Sequence, residues 1–289
     1  MPTPLFNRTK RNFNLAQLRK KAPSEQLGEV DQCCDRMLVL AHISDNSTWK
    51  NDINSRFTKL VEDSDSCLFV LKKNNVNTSY QPNTTQCIND ELAFYSTINW
   101  KSVIQSEGIG CYDLILIENV LGEETTTTVG EFELKNYTTE NALGTIRIKS
   151  NFNQYNNLEK IDFTNSNVID CVRVQGFFGD RQPNTAIDNL IYNDRVSRNV
   201  IRENLNVYTL ETDPLEEQYT ILIIDLHILS ENEMYISDYN DFNHSWSLLD
   251  VPVILKDTPT LDYKKYSKYA SVKVTFEDKQ KLSYSKYNG

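Results

Sequence analysis

Residues 111–149 read CYDLILIENVLGEETTTTVGEFELKNYTTENALGTIRIK, and the reading of this stretch decides the fold class. Cys111–Glu118 is a short apolar run, as expected of a strand covered on both faces. Phe132 and Leu134 then alternate with Glu131, Glu133 and Lys135. Ile146 and Ile148 alternate with Arg147 and Lys149. A period of two turns one set of side chains to a core and the other outward. The run Thr125–Thr128 with Gly130 reads as the turn between strands. Strands at this spacing, with no convincing helix between them, predict a β-sandwich.

Toward the N-terminus, Met37–Ile43 (MLVLAHI) and Cys67–Leu71 (CLFVL) read as two further strands. The segment between them is polar, with Trp49 and Phe57 as its large anchors, and 72–91 reads as loop. Toward the C-terminus, Val168–Val174, Met234–Ile236, Val251–Leu255 and Ser271–Phe276 read as strands, and Asn199–Glu211 as a hairpin. In the last strand Val272, Val274 and Phe276 share one face. One prominent helix is expected near 213–229, where Asp213 is a good N-cap, Pro214 suits the first helical position and Glu216 completes a capping box. The expected organisation is mainly β. An extended arm (1–30) precedes a β-sandwich-like domain (31–150) and a second β-rich domain with the helix (151–289).

The 289 residues carry a net charge of −10, unevenly spread. Within 1–30, Arg8, Lys10, Arg11, Arg19, Lys20 and Lys21 face only Glu25 and Glu29, six positive against two negative, or +4. The remainder therefore carries −14. Such an arm can bind nucleic acid or dock on the acidic surface of a neighbouring copy, and the acidic body, which repels phosphate, favours the neighbour. No secretory signal or membrane-length apolar run is present in the sequence. The six cysteines, Cys33, Cys34, Cys67, Cys87, Cys111 and Cys171, form no C-x-x-C pair and read as reduced thiols of a protein made in a cytoplasm.

Chemistry is sparse. His42 lies in one apolar run and His227 in another, so both read as core residues; His244, near Asp238 and Asp241, reads as part of a turn. There is no Walker A sequence, nucleophile elbow or H-E-x-x-H. Asp238 and Asp241 beside Trp246 could be drawn as a glycosidase pair, but closeness in sequence does not make a cleft. No catalytic residue, cofactor or metal is expected. The Tyr- and Lys-rich tract Tyr263–Tyr287 suits a protein interface as well as a stacking surface for single strands.

From about residue 108 onward, four phrases carry a resemblance: GCYDLILIENVLGEE, VRVQGFFGDRQPNTAIDNLIYNDRV, RENLNVYTLETDPL and MYISDYNDFNHSW. In these the chain resembles virion structural proteins of tailed bacteriophages that infect Bacteroidetes. The resemblance implies a non-catalytic tail, baseplate or tail-neck ring subunit. It would be made in the host cytoplasm and built into the virion, with copies of itself and other tail or neck proteins as partners; no membrane is expected, and the acidic body disfavours nucleic acid. Phe177, Phe178, Arg181, Asp188, Asp194 and Arg195, where opposite charges crowd around two aromatics, are the expected interface. The alternative is a glycan-binding β-sandwich, for which Trp49, Trp100 and Trp246 are the aromatic faces to inspect.

Overall fold

A computed structural model of the chain describes residues 36–61, 66–156, 161–166, 168–178, 182–191, 197–216, 220, 223–224, 233–240, 248–263, 269–280 and 282–285. It is mainly β. The first half contributes β1 (Met37–Ala41), β2 (Ile53–Leu60), β3 (Ser66–Lys73), β4 (Val76–Asn77), β5 (Asn83–Cys87), β6 (Asp90–Asn99), helix α1 (Trp100–Glu107), β7 (Gly110–Val120) and β8 (Glu123–Asn136). Then follow β9 (Thr145–Phe152), β10 (Tyr155–Asn156), β11 (Ile161–Asp162), β12 (Val168–Phe178), β13 (Gln182–Ile191), β14 (Ser197–Thr212) and β15 (Leu215–Glu216). The last strands are β16 (Glu233–Asp238), β17 (Val251–Leu255), β18 (Thr260–Tyr263), β19 (Tyr269–Asp278) and β20 (Leu282–Ser285).

The C-terminal half closes on itself. β9 pairs with β12, β12 with β14, β14 with β19, β19 with β17, β17 with β16, and β16 again with β9. The result is a six-stranded antiparallel barrel. Closure leaves each of its strands with a partner on both sides, which removes the exposed edges of an open sheet. Alternation fills the interior: Ile146, Ile148, Val172, Val174, Leu210, Ile236, Val272, Val274 and Phe276 all belong to one buried cluster. Burying each such side chain fully is worth about 1.5–3 kcal/mol. β9 begins at Thr145, so the barrel starts ahead of residue 151.

The N-terminal half forms the sheet β1-β8-β7-β3-β4 and the smaller sheet β2-β6-β5. Asn99 caps α1, its side chain accepting from the backbone N–H groups of Lys101 and Ser102, and the helix buries Trp100, Val103 and Ile104. The Trp100 ring packs 4.8 Å from that of Phe132, and its Nε1 donates to Asn54 Oδ1 at 2.7 Å.

Several expectations are corrected. Thr125–Thr128 and Gly130 lie inside β8, and the turn lies ahead of them, at Leu121-Gly122. Both turn residues have positive φ, +52° and +88°, the backbone of a type I′ hairpin. The stretch 72–91 contains β4 and β5, and 199–211 is part of one 16-residue strand rather than a hairpin. The helix does not start at Asp213: Leu215 and Glu216 pair with Ala270 and Tyr269, and the helical backbone among the described residues comes later, at Thr220, Ile223 and Ile224. Edge pairing there prevails over a good capping signal. Cys67, Cys87 and Cys171 are in no disulfide, whereas Cys111 is disulfide-bonded. The arm lies outside the described residues, as do His227, His244 and Trp246.

Candidate functional site

The seam between the two halves runs across the outer face of the barrel. Strand register there sets three rows across β12, β9 and β16: Arg173–Arg147–Ser237, Cys171–Lys149–Tyr235 and Ile169–Asn151–Glu233. Arg147 and Arg173 stand directly opposite each other and are almost wholly buried. Like charges in this position repel. Asp52, from the segment entering β2, offsets that repulsion. Its Oδ2 accepts from Arg173 Nε (3.0 Å) and from the backbone N–H of Leu40 (2.9 Å), and its Oδ1 accepts from Arg173 Nη2 (3.1 Å) and Arg147 Nη1 (3.2 Å). Asp250 closes the other side, taking Arg147 Nη2 and, at 2.9 Å, Lys149 Nζ. The Arg173 guanidinium lies 4.5 Å from the ring centre of Tyr239.

Burial alone would push the Asp52 carboxyl up, but the adjoining Arg173 and Arg147 outweigh it and hold the group below its ordinary value. Asp250 is likewise lowered, burial being overcome chiefly by Arg147. These groups therefore carry fixed charge near neutral pH, which suits locking two sheets in register better than moving protons. Burial also pushes the Cys171 thiol up to about 11, so it is a poor nucleophile.

Beside this cluster, a cleft of about 290 Å³ opens between the barrel face and the N-terminal half. Ile53, Ile169 and Cys171 contribute its apolar lining, and Lys101, Glu233 and Tyr235 are among its polar groups. The Lys149 ammonium covers one face of the Tyr235 ring, 4.5 Å from its centre.

A second feature stands away from the seam. The outer parts of β3, β7 and β8 form a three-stranded ribbon joined by the Leu121-Gly122 turn. Residues 119–127 are all exposed, and Leu121 at the tip is 85% exposed. β1 pairs with β8 only over Phe132–Asn136, so among the described residues Glu123–Glu131 has no strand on the side away from β7. On the opposite side of the ribbon β4 pairs only with Lys72 and Lys73. Among the described residues, the backbone groups along this side of β8 thus pair with no other strand.

Of the expected interface residues, Phe177 is 39% exposed, but Phe178 is fully buried in the barrel with its ring 6.1 Å from Phe276, so it is a core residue. Asp188 lies in β13, with its side chain undescribed; Arg181, Asp194 and Arg195 lie outside the described residues. His42 organises a turn, its Nδ1 accepting from the N–H groups of Ser44 and Asp45. Asp238 is buried and accepts from the Phe178 and Asn240 N–H groups at 2.9 Å each, a structural role. The sequence reading missed Asp52, Arg147, Arg173 and Asp250. The signal was present in two matching triplets, Ile146-Arg-Ile148 and Val172-Arg-Val174, each placing an arginine between residues that fill the barrel. No protein-family profile matches this chain, and no curated protein is significantly similar to it.

Proposed function

We propose that the chain is a structural subunit of a tailed-phage particle, joining its neighbours in a tail, baseplate or tail-neck ring by strand addition. The observation that carries the assembly reading is the free β8 edge on an exposed ribbon. Unpaired edges of β-rich sequence recruit further strands, and soluble proteins ordinarily shield them. The ion-locked seam supports the same reading, because a subunit that transmits load needs its sheet held rigidly on its barrel. The particle itself is inferred from the four phrases that resemble phage virion proteins.

The test is the mass of the purified full-length chain in solution over a range of concentrations, beside Thr126→Pro. Proline in mid-edge removes a donor and blocks pairing. A discrete oligomer for the native chain and a monomer for the variant support strand addition. A native chain that stays monomeric even on purified phage tails, or that is absent by mass spectrometry from particles made in cells expressing it, overturns the reading.

The alternative, a glycan-binding surface, draws on the cleft beside Tyr235. It is the weaker reading because the two tryptophans among the described residues are engaged. Trp100 is fully buried, and Trp49 packs against Tyr137, with the Lys50 ammonium 4.7 Å from the centre of its ring.

A further inference from the structure

The free edge of β8 is specific about what would fit it. β1 runs parallel to β8, with Met37 opposite Phe132 and Ala41 opposite Asn136. The unpaired stretch Glu123–Glu131 is the same track, one strand-length upstream. It is acidic, with Glu123, Glu124 and Glu131 along it and no lysine or arginine between them. It also ends at an apolar tip, where Val120 and Leu121 are exposed.

The simplest occupant would be the residues just before β1 in the same chain. Their sequence argues against it. Continuing the Met37–Phe132 register upstream would set residues 28–36 against 123–131 and bring Glu29 opposite Glu124. Glu29, Asp31 and Asp35 would then run beside Glu123, Glu124 and Glu131, and the one basic residue of the stretch, Arg36, is already paired with Asp113; like charges facing each other across a ladder are destabilising. The complementary segment lies further upstream. Arg8–Ala16 (RTKRNFNLA) carries three positive charges and no acid, and its Phe13 and Leu15 alternate with Asn12 and Asn14. Docked within its own chain, this segment would end beside Glu131 and leave residues 17–36 as a closed loop with an entropic cost that an arm extended to a neighbour does not bear. An extended chain covers about 3.3 Å per residue, so some 20 residues between Ala16 and Met37 reach on the order of 60 Å, enough to span to another copy.

We infer that the β8 edge Glu123–Glu131 is the docking site for the basic segment Arg8–Ala16 of a neighbouring copy, which adds as a strand continuing the line of β1. This rests on the assembly reading and names its partner surface. Donation is head-to-tail, each copy giving an arm and receiving one, so the contact is heterologous and can close a ring.

The experiment uses full-length chains throughout. One variant reverses the arm (Arg8→Glu, Lys10→Glu, Arg11→Glu), a second reverses the edge (Glu123→Lys, Glu124→Lys), and a third carries both sets. Association is followed by mass in solution at low salt. Each single reversal is expected to weaken self-association at least tenfold, and the combined variant to recover it. An equimolar mixture of the two single variants should associate one to one, because the acidic arm of one meets the basic edge of the other. Self-association unchanged by arm reversal yet abolished by Thr126→Pro would overturn this inference while leaving strand addition intact. A mixture that stays monomeric while the combined variant behaves as wild type would also overturn it, by showing that the arm serves its own chain. A wild-type chain that never associates would remove the assembly reading and this inference together.

Discussion

The outer face of the barrel and the β3–β7–β8 ribbon are both built from strands with alternating side chains, yet they end in opposite states. On the barrel, the outward row Arg173–Arg147 is covered by the N-terminal half, and its charges are matched by Asp52 and Asp250. On the ribbon, Glu123–Thr127 face solvent, and β8 has an unpaired side. The difference teaches that outward in a strand pattern need not mean exposed. An outward residue is exposed only when nothing else in the chain packs on it, and the seam and the ribbon are the two outcomes. The same contrast separates stability from association: changes at the seam should unfold the chain, and changes on the ribbon should leave it folded but alone.

The largest effect is expected from Asp52→Ala. It leaves two buried guanidinium groups facing each other with their shared carboxylate gone, and breaking a buried pair in this way costs about 3–5 kcal/mol. Urea unfolding followed by circular dichroism would read it as a lowered midpoint. The matched ribbon change, Glu124→Ala, should shift stability by less than about 0.5 kcal/mol. If both changes cost the same, the contrast between the regions is broken. The pH dependence follows from the same carboxyls. Asp52 and Asp250 are held below their ordinary values in the folded chain. Their contribution is therefore complete above the unfolded carboxylate pKa of about 4 and is lost as pH falls through the lowered values. The urea midpoint should stay level in this respect from about pH 7 to 5 and drop below about pH 4, with a smaller drop in Asp250→Asn.

A smaller effect is expected where β12 approaches the backbone of β14 closely. Gly176 has φ +157°, and a Cβ there would lie 2.7 Å from the carbonyl oxygen of Glu211 and 2.9 Å from Thr212 Cα. Both neighbours are backbone of the paired strand β14, so neither can swing aside. Gly176→Ala should cost about 1–3 kcal/mol, as overpacking in a closed core does. Gly122 at the ribbon tip meets nothing within 4 Å, so Gly122→Ala bears only the strain of its positive φ, about 1 kcal/mol. Thermal unfolding of the two variants side by side ranks them. A larger loss at Gly122 would mean that the ribbon, not the barrel, is the tightly packed region.

How much of this was legible in the sequence depends on the range of the interaction. Alternation in Thr145–Lys149 and Ser271–Phe276 named the barrel-facing residues correctly, because strand pleating is local. Closure of the barrel was not legible, since it depends on β14 meeting β19 and β16 meeting β9, pairings that no local pattern encodes. The helix signal at Asp213-Pro-Leu-Glu216 was sound chemistry overridden by an available edge on β19. Arg147 read as solvent-facing because its cover, Asp52 and Thr48, lies about a hundred residues away in the chain. The turn was misplaced for a different reason. Leu-Gly is a poor advertisement for a type I′ hairpin, and the threonine run beside it drew the boundary inward.

That turn supplies the smallest prediction and the sharpest. Two hairpins in the N-terminal sheet use central residues with positive φ. The β3–β4 turn places Asn74 and Asn75 there, at +50° and +64°, whereas the β7–β8 turn places Leu121 at +52°. Asparagine tolerates this backbone, while a leucine there bears about 1–2 kcal/mol of steric strain. Leu121 makes no compensating burial in the single chain, being 85% exposed. Leu121→Asn should therefore stabilise the isolated chain by about 0.5–1 kcal/mol, a rise of a few degrees or less in its melting temperature. If the strained leucine is kept because its side chain is buried when a neighbour docks on β8, the same variant should associate more weakly than the native chain. A gain in stability with undiminished association would mean that the tip is idle and that recognition rests on the edge and its glutamates alone.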